Sequence, residues 1–155
     1  MKKIGEYTAR GVVSETQSST GLPARVTLFD GRFDTAYRVV KFYIWGSDWG
    51  NANGPDVIGK LCTTDETITT GADYMRADAN NQIAWAANNG TTESASQIVE
   101  GIIDPDNLIV EDLFVFARSV NTEPTDMINY MILLEKYDIS DWQGSLAMVR
   151  NRSQT

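Results

Sequence analysis

The feature that most limits what this chain can fold into is a series of β-prone runs separated by turn residues. Period-two alternation is clearest where Val26 and Leu28 alternate with Arg25 and Thr27, the pattern of a half-buried strand. Helical periodicity is scarce by comparison. Eight runs are predicted to be strands: residues 7–14, 24–29, 36–45, 57–63, 82–87, 98–103, 108–119 and 126–139.

Turn signals between these runs predict how the strands connect. The pair Asp30-Gly31 follows the second run and is typical of a tight β-hairpin, because glycine readily adopts a positive φ. A second hairpin is predicted around residues 120–125, which include Pro124. Gly11 interrupts the first run and indicates a bulge or bend there.

The last run is open to two interpretations. Met127, Met131, Leu134 and Tyr137 follow a helical spacing over residues 126–139. We favour a strand, because the run contains poor helix formers and follows another strongly β-prone run. Beyond it, Asp141 is expected to cap a short helix over residues 145–151, in a tail that starts at about residue 141.

These elements predict one β domain over residues 1–155, since no repeat and no linker divides the chain. The expected fold is all-β: a β-sandwich, jelly-roll-like, with about eight short strands and one short C-terminal helix. Residues 36–45 are apolar on both faces. This run is therefore expected to be a central strand whose outer face is covered by a loop or pressed against a neighbouring subunit.

Composition removes most kinds of catalytic chemistry. The chain has no histidine, so Ser-His-Asp, Cys-His and histidine-based zinc sites are excluded. A single cysteine, Cys62, excludes an internal disulfide and a cysteine-rich metal site. The net charge of −8 argues against nucleic-acid binding, which needs a basic surface. We expect a protein that is not an enzyme and has no cofactor.

Two features, an aspartate-rich turn and a pair of tryptophans beside a polar loop, each have two explanations. Asp104 and Asp106 flank Pro105 and are weak candidates for calcium ligands, but aspartates also shape turns without any ion, which is the favoured interpretation. Trp45 and Trp49 lie four residues apart beside polar loop residues. They suit either a sugar-stacking platform, as in carbohydrate-binding modules, or an interface between proteins.

Three stretches carry a resemblance to a known group of proteins: FDGRFDTAYRVVKFYIW, IDPDNLIVEDLFVFAR and YDISDWQGSLAMVRNRSQT. With its acidic, histidine-free composition, the chain resembles the small virion structural proteins of tailed bacteriophages. The resemblance implies a capsid decoration (cement) or minor virion protein located in the virion. It also implies partners among other virion proteins, such as the major capsid protein, and a homo-oligomer, by analogy a trimer.

Contact with such partners is expected to rely on large aromatic side chains and on cations near the C-terminus. Aromatic rings bury much area at low entropic cost, and arginine pairs with carboxylates through two hydrogen bonds. The candidate interface residues are Tyr43, Trp45, Trp49, Trp142, Arg150 and Arg152.

Targeting signals are not expected. No apolar run follows Lys2 and Lys3, so we expect no secretory signal and synthesis in a host cytoplasm. No stretch approaches 18 consecutive apolar residues, so no membrane contact is expected.

Overall fold

The structure is a computed structural model that describes residues 1–14, 23–47, 56–65, 74–89, 100–119 and 127–152. Its strands coincide with the runs rich in β-branched and aromatic residues, as β propensity requires. The all-β prediction, with about eight strands and a C-terminal helix, is confirmed. The elements are β1 (Lys2–Ser14), β2 (Ala24–Val26), β3 (Thr35–Gly46), β4 (Asp56–Cys62), β5 (Gln82–Asn89), β6 (Ile102–Ile103), β7 (Leu113–Ser119), β8 (Met127–Asp138) and α1 (Asp141–Arg152).

The strands form two antiparallel sheets. One has three strands in the order β1-β8-β3, and the other has five in the order β2-β7-β4-β5-β6. β1 pairs with β8, β2 with β7 and β4 with β5, which is the jelly-roll arrangement. The remaining pair of that arrangement is β3 with β6. Here the Gly101 N–H, just before β6, donates to the Phe42 carbonyl of β3 at 2.8 Å.

Alternate side chains from the facing sides of the two sheets form one core. Phe42 and Ile132, on the three-stranded sheet, are completely buried, as are Leu61 and Val115 on the other sheet. Other core residues on these strands are Val39, Ile44, Ile128, Leu134, Val57, Ala84, Leu113 and Ala117. Strict alternation holds along β8, but the register shift between Val39 and Lys41 brings both Val39 and Phe42 of β3 into the core.

Neither predicted hairpin is correct. Residues 27–34 connect β2 to β3, and these strands lie in different sheets. Gly31 does have a positive φ of 85°, and the Asp30 carboxylate accepts a hydrogen bond from the Arg32 N–H at 3.0 Å. β7 and β8 also lie in different sheets, while their connection, residues 120–126, lies outside the described residues. Asp30 and Gly31 therefore form a turn, but the strands on either side of this turn do not pair with each other.

Two further expectations about individual strands are wrong. β8, not β3, is central in the three-stranded sheet. The irregularity of β1 lies between Lys3 and Gly5 rather than at Gly11. A Cβ atom on Gly11 would lie 2.6 Å from the hydroxyl oxygen of Tyr130. Gly11 is therefore explained by the close approach of the Tyr130 side chain across the sheet.

The helix is longer than predicted and begins differently. Ser140, rather than Asp141, is the cap: its hydroxyl accepts from the Gln143 N–H at 3.2 Å, and the Gln143 side chain accepts from the Ser140 N–H at 3.3 Å. This reciprocal pair is a capping box. Buried Ala147 then packs α1 against a small cluster of buried side chains: Ala36, Val110 and Ile139.

Candidate interaction surface

The outer face of the three-stranded sheet carries an apolar area that the described residues leave open. On β8, the side chains that alternate with the core residues point away from the core. Their neighbours on β1 and β3 are aligned by the strand register: Arg10 and Tyr43 flank Met131, while Val12 and Trp45 flank Asn129. We call this surface the outer patch; its members are Val12, Tyr43, Trp45, Met127, Met131 and Leu133, with Arg10 and Lys41 at its sides.

Exposure and shape distinguish the outer patch from the core. Val12 is 43% exposed and Met127 46%, and the other apolar members are half-buried. A groove of about 530 Å³ runs across the patch, and a second, of about 200 Å³, lies near Leu133. The larger groove is lined by Arg10, Gly11, Val12, Trp45, Asn129, Tyr130 and Met131. Aromatic side chains, methionine and arginine are the residue types enriched at protein interfaces.

The charge around the outer patch is opposite to that of the chain as a whole. β1, β3 and β8 together have a formal charge of +3, against −8 for the whole protein, which leaves −11 on the remainder. The cations are Lys2, Lys3, Arg10, Arg38, Lys41 and Lys136, and the acids are Glu6, Glu135 and Asp138. The three-stranded sheet is thus a basic region of an acidic molecule, suited to an acidic partner surface.

An ion-pair network lies beside the outer patch. The Lys3 ammonium contacts both Glu6 and Glu135 at 2.8 Å. Two hydrogen bonds lower the pKa of Glu135: the larger effect comes from Lys3 and the smaller from the Tyr137 hydroxyl. By contrast, Arg10 and Lys41 have no ion pair among the described residues. Both cations are exposed and are available to a partner's carboxylates.

The far end of the same face is closed by the C-terminal helix. Ala36 and Tyr137 lie opposite each other in the register and pack in the cluster that contains Ala147 of α1. Gly144 makes this docking possible, since a Cβ atom there would lie 1.7 Å from the Phe33 carbonyl oxygen. The helix therefore limits the outer patch to the other end of the sheet.

The structure brings together two of the six predicted interface residues. Tyr43 and Trp45 share the outer patch. Arg150 is exposed on α1, and its guanidinium donates to the Asp106 carbonyl of its own chain at 3.3 Å. Trp49 lies outside the described residues, as do the side chains of Trp142 and Arg152.

Sequence reasoning missed Val12, Met131 and Leu133. A usable signal was present in β8, where Met131 and Leu133 alternate with the core residues Ile132 and Leu134, so that both faces of the strand are apolar. The same signal was recognised in the run that became β3. Where two neighbouring strands are both apolar on their two faces, the outer face of the sheet is expected to be covered or contacted.

The aspartates proposed as weak metal candidates form a turn. The Asp104 carboxylate accepts from the Asp106 N–H at 3.0 Å. The buried Asn107 side chain then bonds to both backbone groups of Val39: its oxygen accepts at 2.8 Å and its amide donates at 3.3 Å. Within the described ranges, no group of three or more potential metal-ligating residues was found. The segment holds residues 107–110 against β3.

We expect chelators to leave the stability of the protein unchanged, because the turn is held by protein hydrogen bonds. A calcium ion at a hundred times its dissociation constant would contribute about 2.7 kcal/mol. Its removal would lower the melting temperature of a domain of this size by about 5–10 °C. Thermal unfolding with and without EGTA distinguishes the two, and a fall of that size would show that an ion is bound.

The chain was compared with known proteins. No family model, no curated protein and no solved structure matches it. Of the helices that the structure describes, none has the length and apolar character needed to cross a bilayer.

Proposed function

We propose that this protein is a non-enzymatic structural component of a bacteriophage virion, a capsid decoration (cement) or minor virion protein. It stabilises the particle through contacts with copies of itself and with other virion proteins such as the major capsid protein. The observation that carries the proposal is the outer patch: half-exposed aromatic and apolar side chains on a regular sheet, beside cations without an ion pair among the described residues.

The chemistry of the outer patch favours a protein partner. Apolar side chains contribute by burial, and Trp45 and Tyr43 are of the types that anchor interfaces. Methionine adapts its shape to a partner surface, which suits Met127 and Met131. Because these residues lie on hydrogen-bonded strands, their backbone is already ordered before a partner binds, and no backbone entropy is lost on binding. A rigid, apolar contact surface is what a particle-stabilising protein requires.

The alternative is a carbohydrate-binding β-sandwich module that uses Trp45 together with Trp49. A sugar site needs polar groups that hydrogen-bond hydroxyls around the aromatic ring. Around Trp45, the groove offers Asn129 and Arg10, whereas Val12 and Met131 are apolar. This lining favours a protein over a sugar. Binding of glycans in a calorimeter, abolished by Trp45→Ala, would favour the alternative.

Replacing Trp45 with alanine is expected to weaken binding to virus particles by about 2 kcal/mol or more, roughly 30-fold in dissociation constant. The reason is the loss of the largest apolar side chain of the outer patch. The measurement is co-sedimentation of the labelled protein with particles that lack it, together with the thermal stability of those particles.

The matched control is Trp85→Ala. Trp85 is also half-buried but lies on β5 in the other sheet, between the core residues Ala84 and Ala86, so that it points away from both the core and the outer patch. It should bind particles as the unmodified protein does. Equal loss in both variants, or no loss in Trp45→Ala, would contradict the assignment of the outer patch as the contact surface.

A further inference from the structure

Among the described residues, β1 is an edge strand. Twelve of its 13 residues pair with β8 on one side, Ile4 lying at the register shift, and no other described strand pairs with it. Of its side chains that the structure describes, only Val13 is buried. An open edge presents a row of N–H and C=O groups ready to pair with another strand.

The opposite edge of the same sheet is already occupied. Tyr37 of β3 exchanges two backbone hydrogen bonds with Ile109, each of 2.7 Å, and the Phe42 carbonyl accepts from Gly101. Strand addition to this sheet is therefore directed to β1. The start of β1 is protected against pairing with another strand. Charges and bulges are the usual protection of an edge, and this end has Lys2, Lys3 and the irregularity after Lys3.

The outward-facing residues of β1 are arranged about Thr8. Every second residue from position 6 to position 12 shares the outer side, with Thr8 opposite Leu133 and Arg10 opposite Met131 of the outer patch. The acidic Glu6 and the basic Arg10 lie at equal distances on either side of Thr8.

We propose that two copies of this chain associate edge to edge through β1, antiparallel, with the twofold axis at Thr8. In this register Glu6 lies opposite the partner's Arg10, and this pair occurs twice. Opposite charges across antiparallel strands are stabilising. Such a contact is isologous, so it closes at two copies and does not propagate into fibres.

Other registers lose this complementarity. Moving the axis to Tyr7 places Glu6 opposite the partner's Thr8, and moving it to Ala9 places Glu6 opposite the partner's Val12. Glu6 is free to turn, because Lys3 retains Glu135 as a carboxylate partner at 2.8 Å. Register in such a sheet is set by side-chain pairing of this kind.

The result is a continuous six-stranded sheet with two outer patches on one face. Arg10 lies at the side of the outer patch and, through its pairing with the partner's Glu6, also belongs to the new interface. This association does not rest on the proposed virion role, since it follows from the edge and side chains of β1 alone. A failure to bind particles and a failure to dimerise are therefore separate results.

The test is charge exchange on the full chain. Light scattering or sedimentation should give twice the 17.2 kDa mass of one chain for the unmodified protein. Arg10→Glu and Glu6→Arg each create two like-charge pairs, so each variant should self-associate about tenfold more weakly or worse. The double variant restores both pairs with reversed sign and should recover the dimer. Melting curves establish that every variant is folded.

Cysteine cross-linking tests the register independently. Thr8→Cys brings two thiols together at the axis and should give a disulfide-linked dimer on oxidation. Val12→Cys is the matched control, because the two copies of this residue would lie about 27 Å apart, eight residues at a rise of about 3.4 Å. Cys62 is fully buried and does not compete.

Several results would overturn the proposal. These are a monomer at all concentrations, an oligomer insensitive to both single charge reversals, a double variant no better than the single ones, or cross-linking of Val12→Cys as efficient as that of Thr8→Cys. A trimer would also overturn it, because an isologous edge contact closes at two copies.

Discussion

Replacement of Asp112 by alanine should destabilise the protein by about 3 kcal/mol, the range for removing one partner of a buried charged network. The Asp112 side chain is only 8% exposed. One carboxylate oxygen accepts from the Leu28 and Phe29 N–H groups at 2.9 and 3.1 Å, and the other from Arg25 Nε at 2.8 Å. The lost bonds join the start of β7 to the chain after β2. Thermal unfolding should show a melting temperature lower by about 6–12 °C.

Asp112→Asn is the matched control because it keeps one oxygen acceptor for the two backbone N–H groups. It should destabilise the protein by only about 1 kcal/mol, since Arg25 is 65% exposed and solvent screens that pair. An equal loss in both variants would mean that the charge, not the backbone bonds, carries the effect.

The same residue gives a pH dependence with a definite sign. Burial alone would raise the pKa of Asp112, but the hydrogen bonds from Phe29, Arg25 and Leu28 together hold it below its ordinary value. The carboxylate therefore stabilises the folded state fully above the unfolded-state pKa of about 3.9. This contribution is lost as the pH falls from there through the lower folded-state pKa. The stability difference between the native chain and Asp112→Asn should shrink over that acidic range.

Gly144→Ala is expected to destabilise the docked helix by about 2 kcal/mol, although alanine favours an isolated helix by about 1 kcal/mol. The steric effect is larger, because the new Cβ atom would lie 1.7 Å from the Phe33 carbonyl oxygen, a backbone atom that cannot rotate away. The helix must shift and lose the contacts of Ala147 with Ala36 and Val110. Hydrogen exchange should accelerate over residues 141–152 while the core strands stay protected.

Ser145→Ala is the control for Gly144→Ala. It introduces the same residue one position later, where the side chain is exposed, and should leave stability unchanged or slightly raised. If both variants behave alike, close packing against Phe33 does not hold the helix in place.

Most of the secondary structure followed from local patterns. The run that became β8 was predicted as a strand despite its helical spacing of apolar residues, and its poor helix formers carried that choice correctly. The predicted helix began four residues too late, at 145, and its cap was misplaced by one residue, because Asp141 is also a good cap. The reciprocal bonds of Ser140 and Gln143 decide in favour of Ser140. The S-x-x-Q spacing was visible in the sequence and identifies the capping box.

Two of the six apolar members of the outer patch were predicted. Tyr43 and Trp45 were identified as aromatic anchors on a run that is apolar on both faces. Val12 and Arg10 join them only because β1 pairs with β8 at a particular register, Arg10 opposite Met131. That pairing connects the first strand to the last, across nearly the whole chain, and no short-range pattern encodes it.

Which segments are strands, the absence of histidine chemistry and the net charge of −8 followed from the sequence. These are local or summed properties, set by propensity, alternation and composition. Tertiary structure alone decided that Asp30-Gly31 turns the chain between two sheets, and that the basic residues of β1, β3 and β8 share one sheet. Pairing in a jelly roll is decided by the joint burial of the inner faces of distant strands, which outweighs the preference of any single turn.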